Sequence, residues 1–182
     1  LDNGISLVHT RSELSFFQPD GIQLGLVEEM LFYDGRLYLA TNQGVYRSSG
    51  VNGQMDRLPG FDTQSWFIRC FDGQMITGNN RGTSFIRNDR NLPLETSTGG
   101  MDIRQARLHE QDVLIESTYT YLSVYRRNEA GRWMFARQID GFYDLIHHLE
   151  TDHTGNIWAG HMYKGVYRLR LNDSLSTVVE TT

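Results

Sequence analysis

A chain of 182 residues is long enough for one domain with a sizeable core, and its 39% apolar and 12% aromatic residues mark it as globular rather than disordered. A net charge of −5 leaves no basic footprint for nucleic acid or an anionic membrane. A single lysine, Lys164, argues against Schiff-base chemistry, a lone Cys70 excludes an intrachain disulfide or thiolate metal site, and no apolar run approaches the ~20 residues of a membrane span.

In chain order, the first twenty residues read as half of a four-stranded unit. Asp2-Asn3-Gly4 is a turn, residues 5–8 a third strand and 14–17 a fourth. From residue 21 a unit of roughly 40 residues recurs four times. The first is Tyr33-Asp34-Gly35-Arg36-Leu37-Tyr38, running into Gly44-Val45-Tyr46-Arg47. The second is Phe71-Asp72-Gly73-Gln74-Met75-Ile76, followed by Gly82 and Phe85-Ile86-Arg87. The third, Glu110-Gln111-Asp112-Val113-Leu114 with Val124-Tyr125-Arg126, has lost its glycines. The fourth is the clearest: Asp152-His153-Thr154-Gly155-Asn156-Ile157-Trp158-Ala159-Gly160, then Gly165-Val166-Tyr167-Arg168. Gly35 and Gly73 are 38 residues apart, as are Gly73 and Gln111.

Each unit predicts four short strands. First strands fall at 27–32, 66–71, 103–108 and 143–149, each ending at a turn, where in the first, second and fourth units an Asp-Gly or Thr-Gly pair supplies positive φ. Fourth strands are expected at 54–58, 93–96, 133–139 and 176–180. Four-stranded units at this period are the signature of propeller blades. The expected fold is therefore all-β, a β-propeller of four-stranded antiparallel blades with about four and a half blades present. The segments are 1–20 (outer half of a blade), 21–59, 60–97, 98–140 and 141–182. Four and a half blades should not close, so an incomplete piece of a larger propeller is expected, with a closed four-bladed ring as the alternative.

The fourth unit resembles the two-component regulator propeller repeat, D-x-x-G-x-Φ-W-Φ-G-T-x-x-G-Φ-x-R, where Φ is apolar. The first unit matches it with one turn residue fewer and Tyr38 in place of Trp, and His161 stands where the family has Thr. The resemblance implies the periplasmic sensor region of a bacterial inner-membrane two-component regulator. It also implies neighbouring propeller and immunoglobulin-like domains in the same parent chain, and a kinase beyond the membrane. Many members of that family detect oligosaccharides, so an oligosaccharide ligand and a non-catalytic role are what the resemblance implies. A second copy of the chain is a further candidate partner.

Loops that enter the innermost strand, or join the second and third strands, form a propeller's ligand face. In this chain they carry Trp66, Arg69, Asn79, Arg81, Asp102, Arg104, Tyr119, Tyr143, Asp144 and Tyr163. Aromatic rings beside Arg, Asn and Asp suit stacking on sugars and hydrogen bonding to hydroxyls. No nucleophile elbow, phosphate loop or metalloprotease motif occurs, and no cofactor or metal is expected. The adjacent His147 and His148 are expected on opposite faces of a strand, where they cannot share an ion. Two rival readings are open. A propeller glycoside hydrolase or lyase needs two axial carboxylates about 5–10 Å apart. A protein-interaction scaffold needs an exposed apolar patch.

Overall fold

The computed structural model describes residues 21–49, 54–94 and 98–182. The half-unit expected over residues 1–20 lies outside the described residues. Local structure follows the Asp-Gly punctuation. Asp34 and Gly35 take φ values of 48° and 72°, and Asp72 and Gly73 take 50° and 76°, as a tight hairpin between twisted strands requires. His109 and Glu110 adopt the same conformation at 45° and 61° without a glycine. The third unit thus keeps its turn and carries strain of about 1 kcal/mol per residue.

The described strands form four sheets, each antiparallel and in chain order. Sheet 1 holds β1 (Val27–Tyr33), β2 (Arg36–Thr41), β3 (Gly44–Ser49) and β4 (Gln54–Arg57). Sheet 2 holds β5 (Ser65–Phe71), β6 (Gln74–Asn79), β7 (Gly82–Arg87) and β8 (Arg90–Pro93). Sheet 3 holds β9 (Gly100–Leu108), β10 (Gln111–Thr118), β11 (Leu122–Arg127) and β12 (Trp133–Ile139). Sheet 4 holds β13 (Ile146–Thr151), β14 (Ile157–His161), β15 (Gly165–Leu171) and β16 (Val178–Thr181). β8 starts earlier than the expected 93–96 because Asn88 and Asp89, at φ 51° and 61°, turn the chain directly after β7.

The sheets pack face to face in sequence. Tyr38, Ala40 and Val45 of sheet 1 meet Ile68, Met75 and Ile86 of sheet 2. Phe67 and Ile76 meet Ile103, Tyr125 and Trp133 of sheet 3. Val113, Ile115 and Val124 meet Leu149, Ile157 and Leu169 of sheet 4. Each Val, Leu, Ile, Phe or Met among them contributes about 1.5–3 kcal/mol through burial. Polar ties cross the same joints. Arg47 pairs with Asp89 of the next sheet. Asp72 Oδ2 accepts from the Trp133 indole N–H at 2.9 Å and from Arg127 at 2.6 Å, with the guanidinium 4.5 Å from the Trp133 ring centre. In the fourth unit, Asp152 binds the N–H groups of Thr154 and Asn156 and the Trp158 indole within its own sheet. That explains why Asp and Trp occur together in the repeat.

Among the described residues two faces are left open. Val45, Thr83, Leu122 and Val166 hold the same place in the four sheets; the first three are at most 1% exposed, but Val166 is 65% exposed. On the opposite faces, Ile68, Ile103 and Leu149 are at most 2% exposed, while Met30 at the same place in sheet 1 is 67% exposed. No helix of the described residues is long and apolar enough to cross a membrane.

Candidate functional site

The first strand of every sheet carries a bulge at the same place. Val27 pairs with Thr41 and Glu29 with Ala40, so Glu28 is left over. Ser65 and Phe67 skip Trp66, Gly100 and Asp102 skip Met101, and Ile146 and His148 skip His147. A bulge re-aims the extra side chain out of the alternating pleat. The four extra residues, Glu28, Trp66, Met101 and His147, all line one cavity of about 250 Å³, together with Arg69, Asp102, Arg104 and His148. The cavity is thus built by one irregular position of the repeat, used four times.

Beneath it runs a charged ladder that joins the sheets. Asp102, 2% exposed, accepts from Ile103 N at 2.9 Å and from Leu149 N of sheet 4 at 2.7 Å. Arg69 reaches Asp102 at 2.6 Å, Glu29 of sheet 1 at 3.0 Å, and the Ile103 carbonyl. Arg104 donates to the Leu149 carbonyl at 2.8 Å and lies 3.5 Å from Asp102. Glu29 also accepts from Ile68 N at 2.9 Å. Glu29 and Asp102 hold equivalent places, as do Arg69 and Arg104, so the ladder too follows the repeat.

At the rim, the Trp66 indole N–H is held by Tyr119 Oη at 2.8 Å and Asn80 Oδ1 at 3.1 Å, and Tyr119 in turn bonds Asn80. The Trp66 ring stands edge-on to His147, with ring centres 5.7 Å apart. Strict strand alternation would have separated the two adjacent histidines. The bulge instead brings His147 Nδ1 within 2.8 Å of His148 Nε2. Burial, with help from His148, holds His147 below the usual histidine range. Among the described residues no group of three His, Cys, Asp or Glu could hold a metal ion.

The ten residues singled out from the sequence fall into three groups. Trp66, Arg69, Asp102 and Arg104 lie in the cavity on strands β5 and β9, not on loops, and Tyr119 supports Trp66 from behind. Asn79 and Arg81 border a separate cavity of about 210 Å³; Asn79 accepts from Arg81 N at 2.8 Å, and Arg81 pairs with Asp62. Tyr143, Asp144 and Tyr163 lie at the rim of sheet 4. Tyr143 bonds Asp140 at 3.3 Å, and Tyr163 N donates to His161 Nδ1 at 2.8 Å. Asp144 takes Lys164 at 2.9 Å, His161 Nε2 at 2.9 Å and the Tyr167 hydroxyl at 3.3 Å. Lys164 foremost holds its carboxyl down at about 2. His161 Nδ1 accepts two backbone N–H groups, which assigns the proton to Nε2 and lets the imidazole act as the turn acceptor that Thr41 and Thr118 provide elsewhere.

The sequence reading did not name Glu28, Met101 or His147 for this cavity. Glu28 and Trp66 each stand six residues before the turn aspartate. Changed strand and turn lengths shift that offset in the third and fourth units, which hid the correspondence.

Four-stranded all-β repeats of this kind superimpose on parts of larger extracellular domains. The extracellular domain of the hybrid two-component system BT4673 from B. thetaiotaomicron superimposes with a TM-score of 0.59 at 18% identity, over 88% of this chain and 22% of that one. That of the hybrid two-component system BT3049 from the same organism gives 0.54 at 18% identity, over 74% of this chain and 18% of that one. A computationally designed protein, Ika8, gives 0.57 at 12% identity, over 86% of this chain and 49% of that one. At these identities the likeness shows the fold, and the chain spans about a fifth of the length of the natural domains it matches. No protein-family model and no curated protein sequence matches the chain.

Proposed function

We propose that the four sheets are consecutive blades of a larger β-propeller, and that this propeller is the non-catalytic, ligand-sensing part of a two-component regulator on the outer side of a bacterial inner membrane. The observation that carries the reading is the fourfold bulge. One side chain per sheet, Glu28, Trp66, Met101 and His147, is turned into a common cavity by an irregularity a purely structural repeat would not need. An indole ring, a carboxylate, two imidazoles and a thioether suit an oligosaccharide, which needs an aromatic surface and acceptors for hydroxyls. Catalysis is disfavoured because Glu29 and Asp102, the carboxylates nearest the arginines, are committed to guanidinium and backbone N–H groups. The open faces around Met30 and Val166 suit further blades or a neighbouring domain of the parent chain.

The test is titration calorimetry against a panel of oligosaccharides, run on the wild type and Trp66→Ala. Loss of one stacking surface is worth ~0.5–1.5 kcal/mol, so a weakening of roughly two- to tenfold is expected in the variant. No saccharide binding by the wild type would remove the glycan reading and leave an interaction scaffold.

A further inference from the structure

Charge decides what the cavity can accept. Arg69 and Arg104 are matched by Glu29 and Asp102, and the Arg69 guanidinium is bonded on Nε, Nη1 and Nη2. Glu28 stands outside this ladder. It accepts one amide hydrogen bond, from Gln64 at 3.2 Å, and among the described residues makes no ion pair. It faces the same space as the Trp66 and His147 rings. Burial holds His147 below the usual histidine range, and its Nδ1 lies 2.8 Å from His148 Nε2. Among the described residues Glu28 is therefore a cavity-lining carboxylate with no ion-pair partner, beside an aromatic surface.

We propose that this cavity selects a sugar bearing a protonated amine, a hexosamine unit whose ammonium sits on Glu28 against the Trp66 ring, over neutral or acidic sugars. The proposal rests on the saccharide-sensing reading above and adds its charge preference. An ammonium gains a charge-assisted hydrogen bond, roughly twice as strong as a neutral one, and a cation–π contact. A uronic acid would bring a second carboxylate to Glu28 with no unengaged guanidinium on Arg69 to receive it.

The probes are three tetrasaccharides, fully deacetylated chitotetraose, its N-acetylated counterpart and tetragalacturonate, titrated at about pH 6, where the glucosamine amines carry protons. The deacetylated form is expected to bind at least tenfold more tightly than the N-acetylated form, with no binding of tetragalacturonate. Glu28→Gln keeps the shape and the Gln64 contact, and is expected to bring the ratio of the two chito-oligosaccharide affinities from at least tenfold to about one. Equal binding of the two chito-oligosaccharides, or a preference that survives Glu28→Gln, overturns the charge assignment alone. Failure of all three to bind the wild type overturns the charge assignment, and the saccharide reading falls with it only if the wider oligosaccharide panel also fails to bind.

Discussion

At the scale of single residues, Glu116 holds the least expected chemistry. It is fully buried between sheets 2 and 3, where Tyr125 donates to it at 2.6 Å and Thr83 donates to its other oxygen. A Cβ on Gly100 would stand 2.6 Å from its Oε1, so only glycine lets β9 close over the carboxyl. Burial pushes its pKa up from 4.5 to about 7. A raised carboxyl pKa means the folded state keeps a proton that the unfolded state releases. The stabilisation is therefore complete below about pH 4.5 and is lost as pH rises to 7. Urea unfolding of the wild type should show stability falling by about 3 kcal/mol across that window. Glu116→Gln should abolish this part of the pH dependence. An unchanged slope in the variant would assign it to other groups.

Among the strands, the charged ladder is the feature with most at stake. Arg69 of sheet 2 ties Glu29 of sheet 1 to Asp102 of sheet 3. Removing it leaves Asp102 buried and short of its closest cation. Arg69→Ala should cost about 3–5 kcal/mol in denaturant melts, because breaking a buried pair strands its partner. Arg69→Lys should recover little of this, since an ammonium cannot serve Glu29, Asp102 and the Ile103 carbonyl at once as a fork does. Full recovery with lysine would show that charge alone matters here.

For the whole molecule, the repeat itself supplies the control. Leu122 and Val166 hold equivalent places, one sealed by the next sheet and one open. Leu122→Ala should cost about 2–5 kcal/mol. Val166→Ala should stay within about 0.5 kcal/mol in this chain. If a further blade or domain covers that face in the parent protein, the same substitution there should become costly. Calorimetric melting of both forms makes the comparison.

The sequence by itself determined the repeat, its Asp-Gly turns and the four-strand unit, because these depend on local backbone chemistry and on spacing along the chain. Asp34-Gly35 and Asp72-Gly73 could be read as turns without knowing what packed on them. It also put Trp66, Arg69, Asp102 and Arg104 near the site, since each sits close to a recognisable boundary. Only the tertiary structure decided what those residues do. Arg69, Asp102 and Arg104 bridge sheets separated by tens of residues, and such partners leave no local signal. Nor could spacing show that Glu28, Met101 and His147 join Trp66. A bulge is set by the register between two strands, and register is fixed by which faces are buried, which is a property of the packed sheets and not of any one strand.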